Sequence, residues 1–233
     1  MGGLLSKEPP KPEPLLPIPW REVEFRHEAY MKLQDEIKNY QPHPKASTTN
    51  ILILGNVGSG KSSFLNSMFS ELRREDFNGR IQSFQGVRPP AQTSVTQRFD
   101  DILETKIKME GDQIHCVVLV LSLHNAENLD PALIQFYEGL IGMLTKTGVP
   151  CKLLVTFVDK LVEKTEDLKD LYKRRDIKQK IEKLAKEMRI SMCNVIVVSN
   201  YFEELKINQI KGTLLLEAVA QMLTAAKPFQ ERM

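Results

Sequence analysis

Short apolar runs, each the length of one strand, recur along the chain, and each is followed by a stretch in which apolar residues return every three or four positions. The runs are Ile51 to Leu54, Ile114 to Leu121, Lys152 to Val158 and Asn194 to Val198. They are apolar on both alternating faces, which predicts strands of a parallel sheet buried on both sides. After the first run a helix begins across Phe64 to Phe69. The second leads to a helix with Asp130 as N-cap and Pro131 at its first position, closed by Gly148 and Pro150. The third gives way to a strongly charged pair of helical segments. The second of that pair starts after Asp176 and repeats Ile177, Ile181, Leu184 and Met188. After the fourth run comes a last helix, entered at Thr213, with Leu215, Leu216, Val219, Met222 and Leu223 on its inner face. Alternating strands and helices specify an α/β fold with a mainly parallel sheet covered by helices on both faces. Ligands bind such sheets at the carboxyl ends of the strands.

Ahead of this domain, Tyr30, Leu33, Ile37 and Tyr40 stand at helical spacing, and Pro42 and Pro44 end the pattern. The helix is amphipathic and needs a surface to lie on. Residues 9 to 19 are dense in proline and form an extended spacer. The expected division is a flexible tail over 1–18, a helical lead-in over 19–46 and the α/β domain over 47–228. The opening MGGLLS matches M-G-x-x-x-[ST], so Gly2 is a candidate for myristoylation, with Ser6 at the required place. An unmodified flexible tail is the alternative. One acyl chain gives only marginal, reversible attachment, and Lys7 and Lys11 add little, so any membrane contact through Gly2 is transient.

The loop after the first strand carries the chemistry. NILILGNVGSGKSSFLNSM holds a complete G-x-x-x-x-G-K-S, in which Gly55, Asn56, Val57, Gly58, Ser59, Gly60, Lys61, Ser62 and Ser63 form the candidate phosphate cradle. Glycines let successive backbone N–H groups curl around an oxyanion, and the following helix N-terminus adds a positive dipole end. Lys61 reaches the β- and γ-phosphates as a point charge. The Ser62 hydroxyl takes one position on Mg²⁺.

Composition mainly excludes. With 42% apolar and 27% charged residues the chain has ordinary globular proportions, and its net charge of +2 supplies no basic field for nucleic acid. Cys116, Cys151 and Cys193 are widely spaced in apolar surroundings and read as reduced core thiols of a cytosolic protein. His115 and His124 have no metal-ligand companions and are taken as structural. No apolar run reaches the ~18 residues of a membrane span, and no secretory signal precedes the domain.

At the end of the third strand, LLVTFVDK admits two chemistries. In an N/T-K-x-D pattern an aspartate accepts hydrogen bonds from guanine N1 and N2. Thr156 and Asp159 fit that pattern, while Phe157 replaces the lysine whose stem covers the base and is available to stack instead. The same run also reads as a Walker B strand, with Asp159 holding Mg²⁺ through water and Arg174 and Arg175 clamping phosphates in a kinase-like transferase. A solvated helix face is the favoured account of those arginines.

Together PWREVEF, the phosphate-loop segment, TSVTQRF, IHCVVLVL, GVPCKLLVTFVDK and VIVVSNYFEE resemble the interferon-induced protein 44 family, which is GTPase-like and acts in vertebrate antiviral responses. The resemblance runs from about Pro19 to the last helix. It implies a G-domain-like fold, a cytoplasmic setting, an induced role in innate immunity and a guanine nucleotide, GTP or GDP, held with Mg²⁺. It also assigns Thr93 or Thr96 to a switch region, Asp159 to base recognition, and Ser199 and Asn200 to the last loop around the base. The family carries D-T-x-G, whose aspartate holds Mg²⁺ through water and whose glycine amide meets the γ-phosphate. This chain has no D-T-x-G: between Phe99 and His115 stands only DDILETKIKMEGDQI, in which Leu103, Thr105, Ile107 and Met109 alternate as in a β-hairpin. No residue is therefore assigned a catalytic role. The expected function is guanine-nucleotide binding with slow or absent hydrolysis and an unidentified protein partner. The alternative is a non-enzymatic interaction module with a relic phosphate loop.

Overall fold

The computed structural model describes residues 14–72, 80–83, 113–124, 129–202, 204 and 206–232. Gly2, Thr93, Thr96 and the expected hairpin over residues 103–112 lie outside them. The elements are α1 (His27–Lys38), β1 (Asn50–Gly55), α2 (Lys61–Leu72), β2 (Arg80–Ser83), β3 (Cys116–Ser122), α3 (Pro131–Thr147), β4 (Cys151–Thr156), α4 (Arg175–Glu187), β5 (Val195–Val197) and α5 (Gln209–Glu231). The strands form one parallel sheet in the order β2-β1-β3-β4-β5. The strand β2 lies outside the four runs read from the sequence. Its four residues, RIQS, are too short and too polar to stand out as an apolar run.

Alternate residues of each strand feed opposite layers. Leu52, Leu54, Val117, Leu119, Leu153 and Val155 face a core closed by Leu133, Tyr137 and Leu140 of α3 and Ile177, Ile181 and Leu184 of α4. Ile51, Ile53, Val118, Val120, Leu154 and Ile196 face Phe64, Met68 and Leu72 of α2 and Leu215, Leu216, Val219 and Met222 of α5. Each such side chain contributes roughly 1.5–3 kcal/mol by leaving water. Because both faces of β1 are apolar, a slip by one residue would cost little in polarity. Sterics at the carboxyl end supply the constraint: a Cβ on Gly55 would stand 2.5 Å from the Val120 carbonyl oxygen, its partner in the β1–β3 register.

Several element ends differ from expectation. The strand β4 stops at Thr156, two residues before the expected Val158, because Phe157 turns into the left-handed region at φ 61° and a single 3₁₀ turn, Val158–Leu161, follows. Asp159 therefore projects from a turn and not from a strand. The last helix starts at Gln209, a turn before Thr213, since the Asn208 side chain accepts from the N–H groups of Ile210 and Lys211 and caps it there. It runs through Pro228 to Glu231. By contrast α3 starts and stops as read: Asp130 Oδ1 accepts from Ala132 N at 2.9 Å, and Gly148 closes it at φ 73°.

The lead-in is tied down from Leu16, whose N–H donates to the Lys173 carbonyl at 2.7 Å, and Trp20 meets Tyr172 edge-on at 4.7 Å between ring centres. Tyr30 and Ile37 are the buried face of α1, which packs on α2 and α5. Cys116 is buried, but Cys193 is exposed in the turn Met192–Asn194, so it is not a core thiol. His115 is structural: its Nδ1 accepts from Asn50 N at 2.8 Å, joining the start of β1 to the approach to β3. Among the described residues no helix is long and apolar enough to cross a membrane.

Candidate functional site

The phosphate loop runs from the end of β1 into α2. Gly58 and Gly60 have φ of 77° and 90°, the left-handed conformation that opens the loop. At Gly60 a side chain has no room either, since a Cβ would meet Asn200 Nδ2 at 3.1 Å and Thr156 Oγ1 at 3.3 Å. Lys61 is only 4% exposed and its ammonium donates to the carbonyls of Gly55 (2.7 Å) and Asn56 (2.6 Å). Of its three protons two are committed, and the third has only a 3.5 Å contact to Ser59 Oγ. Burial pushes the Lys61 pKa down. The lysine is thus held by its own loop, a charge with spare donor capacity in a partly desolvated place. Val57, Gly58, Gly60, Lys61, Ser62, Ser63 and Phe157 line a cleft of about 250 Å³.

A second cleft of about 170 Å³ adjoins it and shares Ser63 and Phe157. Asp159, Lys160, Asn200, Tyr201 and Phe202 complete its lining. The Phe157 ring is the partition, with Lys160 Nζ 4.9 Å from its centre. Asn200 fastens the two regions together by donating from Nδ2 to the Gly60 carbonyl at 3.1 Å, while its Oδ1 is buried without a hydrogen-bond partner among the described residues. An unpaired buried oxygen costs free energy and suits a ligand donor.

Thr156 and Ser199 lie behind these walls. The Thr156 hydroxyl donates to the Ser59 carbonyl at 2.7 Å, so it braces the phosphate loop from β4. Ser199 is fully buried, and its hydroxyl has no partner among the described residues. Sequence reasoning missed Lys160, Tyr201 and Phe202. The signal was available: YF follows directly on the last strand's carboxyl end, where a parallel sheet gathers its ligand contacts. Arg174 and Arg175 line neither cleft. Arg174 pairs with Asp176 through contacts of 3.1 and 2.6 Å, which raises its pKa. Among the described residues no three His, Cys, Asp or Glu side chains gather as a metal cluster.

No family model matches the chain. Curated relatives do match it. It is 24% identical to interferon-induced protein 44 of Mus musculus over 87% of this chain and 60% of the relative. It is likewise 24% identical to interferon-induced protein 44-like of Homo sapiens, over 86% of this chain and 56% of the relative. The chain thus spans somewhat over half the length of these relatives. Among solved structures it resembles Toc33 from Arabidopsis thaliana in complex with Mg²⁺ and GMPPNP, with a TM-score of 0.55 at 14% identity over 86% of this chain and 92% of that one. Toc33 in complex with GDP and Mg²⁺ gives a TM-score of 0.51 at 14% identity, over 85% and 90% of the two chains. The chain's curated relatives are members of the interferon-induced protein 44 family, and its α/β fold is that of the P-loop, G-domain-like proteins.

Proposed function

We propose that the chain binds a guanine nucleotide with Mg²⁺ and hydrolyses GTP weakly or not at all, as an interferon-induced-type protein of the innate antiviral response. The observation that carries this is the pair of adjoining clefts divided by Phe157: one is lined by the phosphate loop with Lys61 anchored in it, the other presents Asp159. Phosphates in the first cleft meet backbone N–H groups, the α2 N-terminus and Lys61. Ser62 is the residue that would hold Mg²⁺, which neutralises phosphate charge when bound. In the second cleft Asp159 accepts from the guanine N1 and N2 groups, donors that adenine lacks in that arrangement, and the Phe157 ring supplies a stacking face. The relatives' names support the interferon-induced setting, and the Toc33 complexes with GDP and GMPPNP support the choice of nucleotide. A cytoplasmic location, a transient membrane contact through myristoylated Gly2 and a protein partner belong to the same proposal.

Calorimetric titration of GDP and ADP with Mg²⁺ tests it, using the parent chain and Lys61→Ala. GDP should bind more tightly than ADP, and the variant should lose both. Since Lys61 also holds the Gly55 and Asn56 carbonyls, a thermal melt of the variant must accompany the titration. A folded parent chain that takes neither nucleotide would overturn the proposal in favour of an interaction module with a relic loop.

A further inference from the structure

Nucleotide binding gives no task to Glu71, a carboxylate only 1% exposed near the end of α2. Its Oε2 accepts from the Tyr30 hydroxyl of α1 at 2.6 Å, and its Oε1 accepts from the hydroxyl of Tyr201, which lines the Asp159 cleft. Gln34, also of α1, donates to the Glu71 carbonyl at 2.6 Å. From α5, Gly212 leaves the room: a Cβ there would stand 2.8 Å from Oε1. Among the described residues no cation pairs with this carboxylate, so the two phenols are its compensation.

Tyr201 is correspondingly fixed. Its N–H donates to Ser67 Oγ at 2.9 Å, and its hydroxyl oxygen accepts from the N–H of Asn208, the residue that caps α5, at 3.0 Å. A phenol has one proton, and a carboxylate is the stronger acceptor, so that proton goes to Glu71. Burial first, then the bond to Glu71 and its charge, push the pKa of both tyrosines up, which keeps them donors at neutral pH. Tyr30 itself lines neither cleft; its link to the base side runs through one carboxylate.

We propose that Glu71 is a positioning residue for the base-side wall of the nucleotide cleft, and that through it α1 governs the order of residues 199–202. The functional consequence rests on the guanine-nucleotide proposal above; the coupling does not. Removing the Tyr30 hydroxyl leaves a buried anion with one donor fewer, so the local arrangement shared with Tyr201 weakens.

Hydrogen exchange in the nucleotide-free full chain tests the coupling. In Tyr30→Phe the amides of residues 199–202 should exchange roughly tenfold faster while those of β3 are unchanged. Unchanged exchange at 199–202, or an equal rise in β3, would overturn it. Titration tests the consequence, with Glu71→Gln and, should that variant not fold, Tyr201→Phe. GDP with Mg²⁺ should bind about tenfold more weakly, whereas pyrophosphate with Mg²⁺, which makes no contact with the base side, should change less than twofold. Equal loss of both ligands, or of neither, would overturn the positioning role. A parent chain that does not bind GDP, with exchange at 199–202 still responsive to Tyr30→Phe, would refute the nucleotide proposal and support the coupling.

Discussion

Thr156 and Phe157 divide the end of β4 between opposite directions. The Thr156 side chain points into the molecule and its hydroxyl braces the phosphate loop through the Ser59 carbonyl. Phe157 then takes a left-handed conformation, costing roughly 1–2 kcal/mol, and turns its ring out as the wall between the clefts. Thr156→Val keeps the shape and removes the hydroxyl, leaving a buried carbonyl short of a donor. The expected loss is about 1–3 kcal/mol of stability in urea denaturation, together with weaker GDP binding, because the loop proposed to hold the phosphates loses its brace. A variant as stable as the parent would show that the Ser59 carbonyl does not need this donor. The spacing of Thr156 and Asp159 in TFVD was legible as a candidate site. Their separation was not: it depends on the backbone at Phe157, and a phenylalanine gives no local sign that it will adopt positive φ.

At the level of elements, the glycines of the helices separate propensity from packing. Gly139 and Gly142 in α3 are exposed, with nothing within 4 Å of where a Cβ would lie, so Ala at either should stabilise by up to ~1 kcal/mol. Gly212 in α5 has the same propensity deficit, yet a Cβ there would come within 2.8–2.9 Å of the Glu71 carboxylate. Such overlap costs about 1–3 kcal/mol, more than the helix gain, so Gly212→Ala should lower Tm while Gly139→Ala and Gly142→Ala raise it. Equal increases at all three would mean that Glu71 can shift freely. Apolar periodicity fixed which segments of the chain are helices and which are strands, because it reports burial directly. It failed where burial is not local information. The polar edge strand β2 has too few apolar residues to register, and the entry to α5 is set by the Asn208 cap a turn ahead of Thr213.

Over the whole molecule, one end of the sheet collects everything the nucleotide proposal requires: the phosphate loop after β1, the turn carrying Asp159 after β4 and the wall of Asn200, Tyr201 and Phe202 after β5. That convergence followed from the order of apolar runs, since a parallel sheet brings its carboxyl ends together whatever the intervening helices do. Phosphoryl transfer to water needs more than a cradle. It requires metal-bound phosphate, an oriented nucleophile and compensation of charge in the transition state. On the nucleotide proposal Lys61 and Ser62 would serve the first and part of the last, and the sequence has no D-T-x-G to supply a γ-phosphate amide. Binding should therefore outlast chemistry. Small GTPases left to themselves turn over at only about 10⁻⁴ s⁻¹, and this chain should be slower. A ligand shifts a conformational equilibrium only by its differential contacts, so with no such amide GTP and GDP should bind within a few-fold of each other. Single-turnover hydrolysis of radiolabelled GTP, run beside titrations of both nucleotides, measures the two expectations together. Hydrolysis well above 10⁻⁴ s⁻¹ that disappears in Lys61→Ala would mean that another group has taken the missing place, and a large preference for GTP over GDP would locate that group at the γ-phosphate.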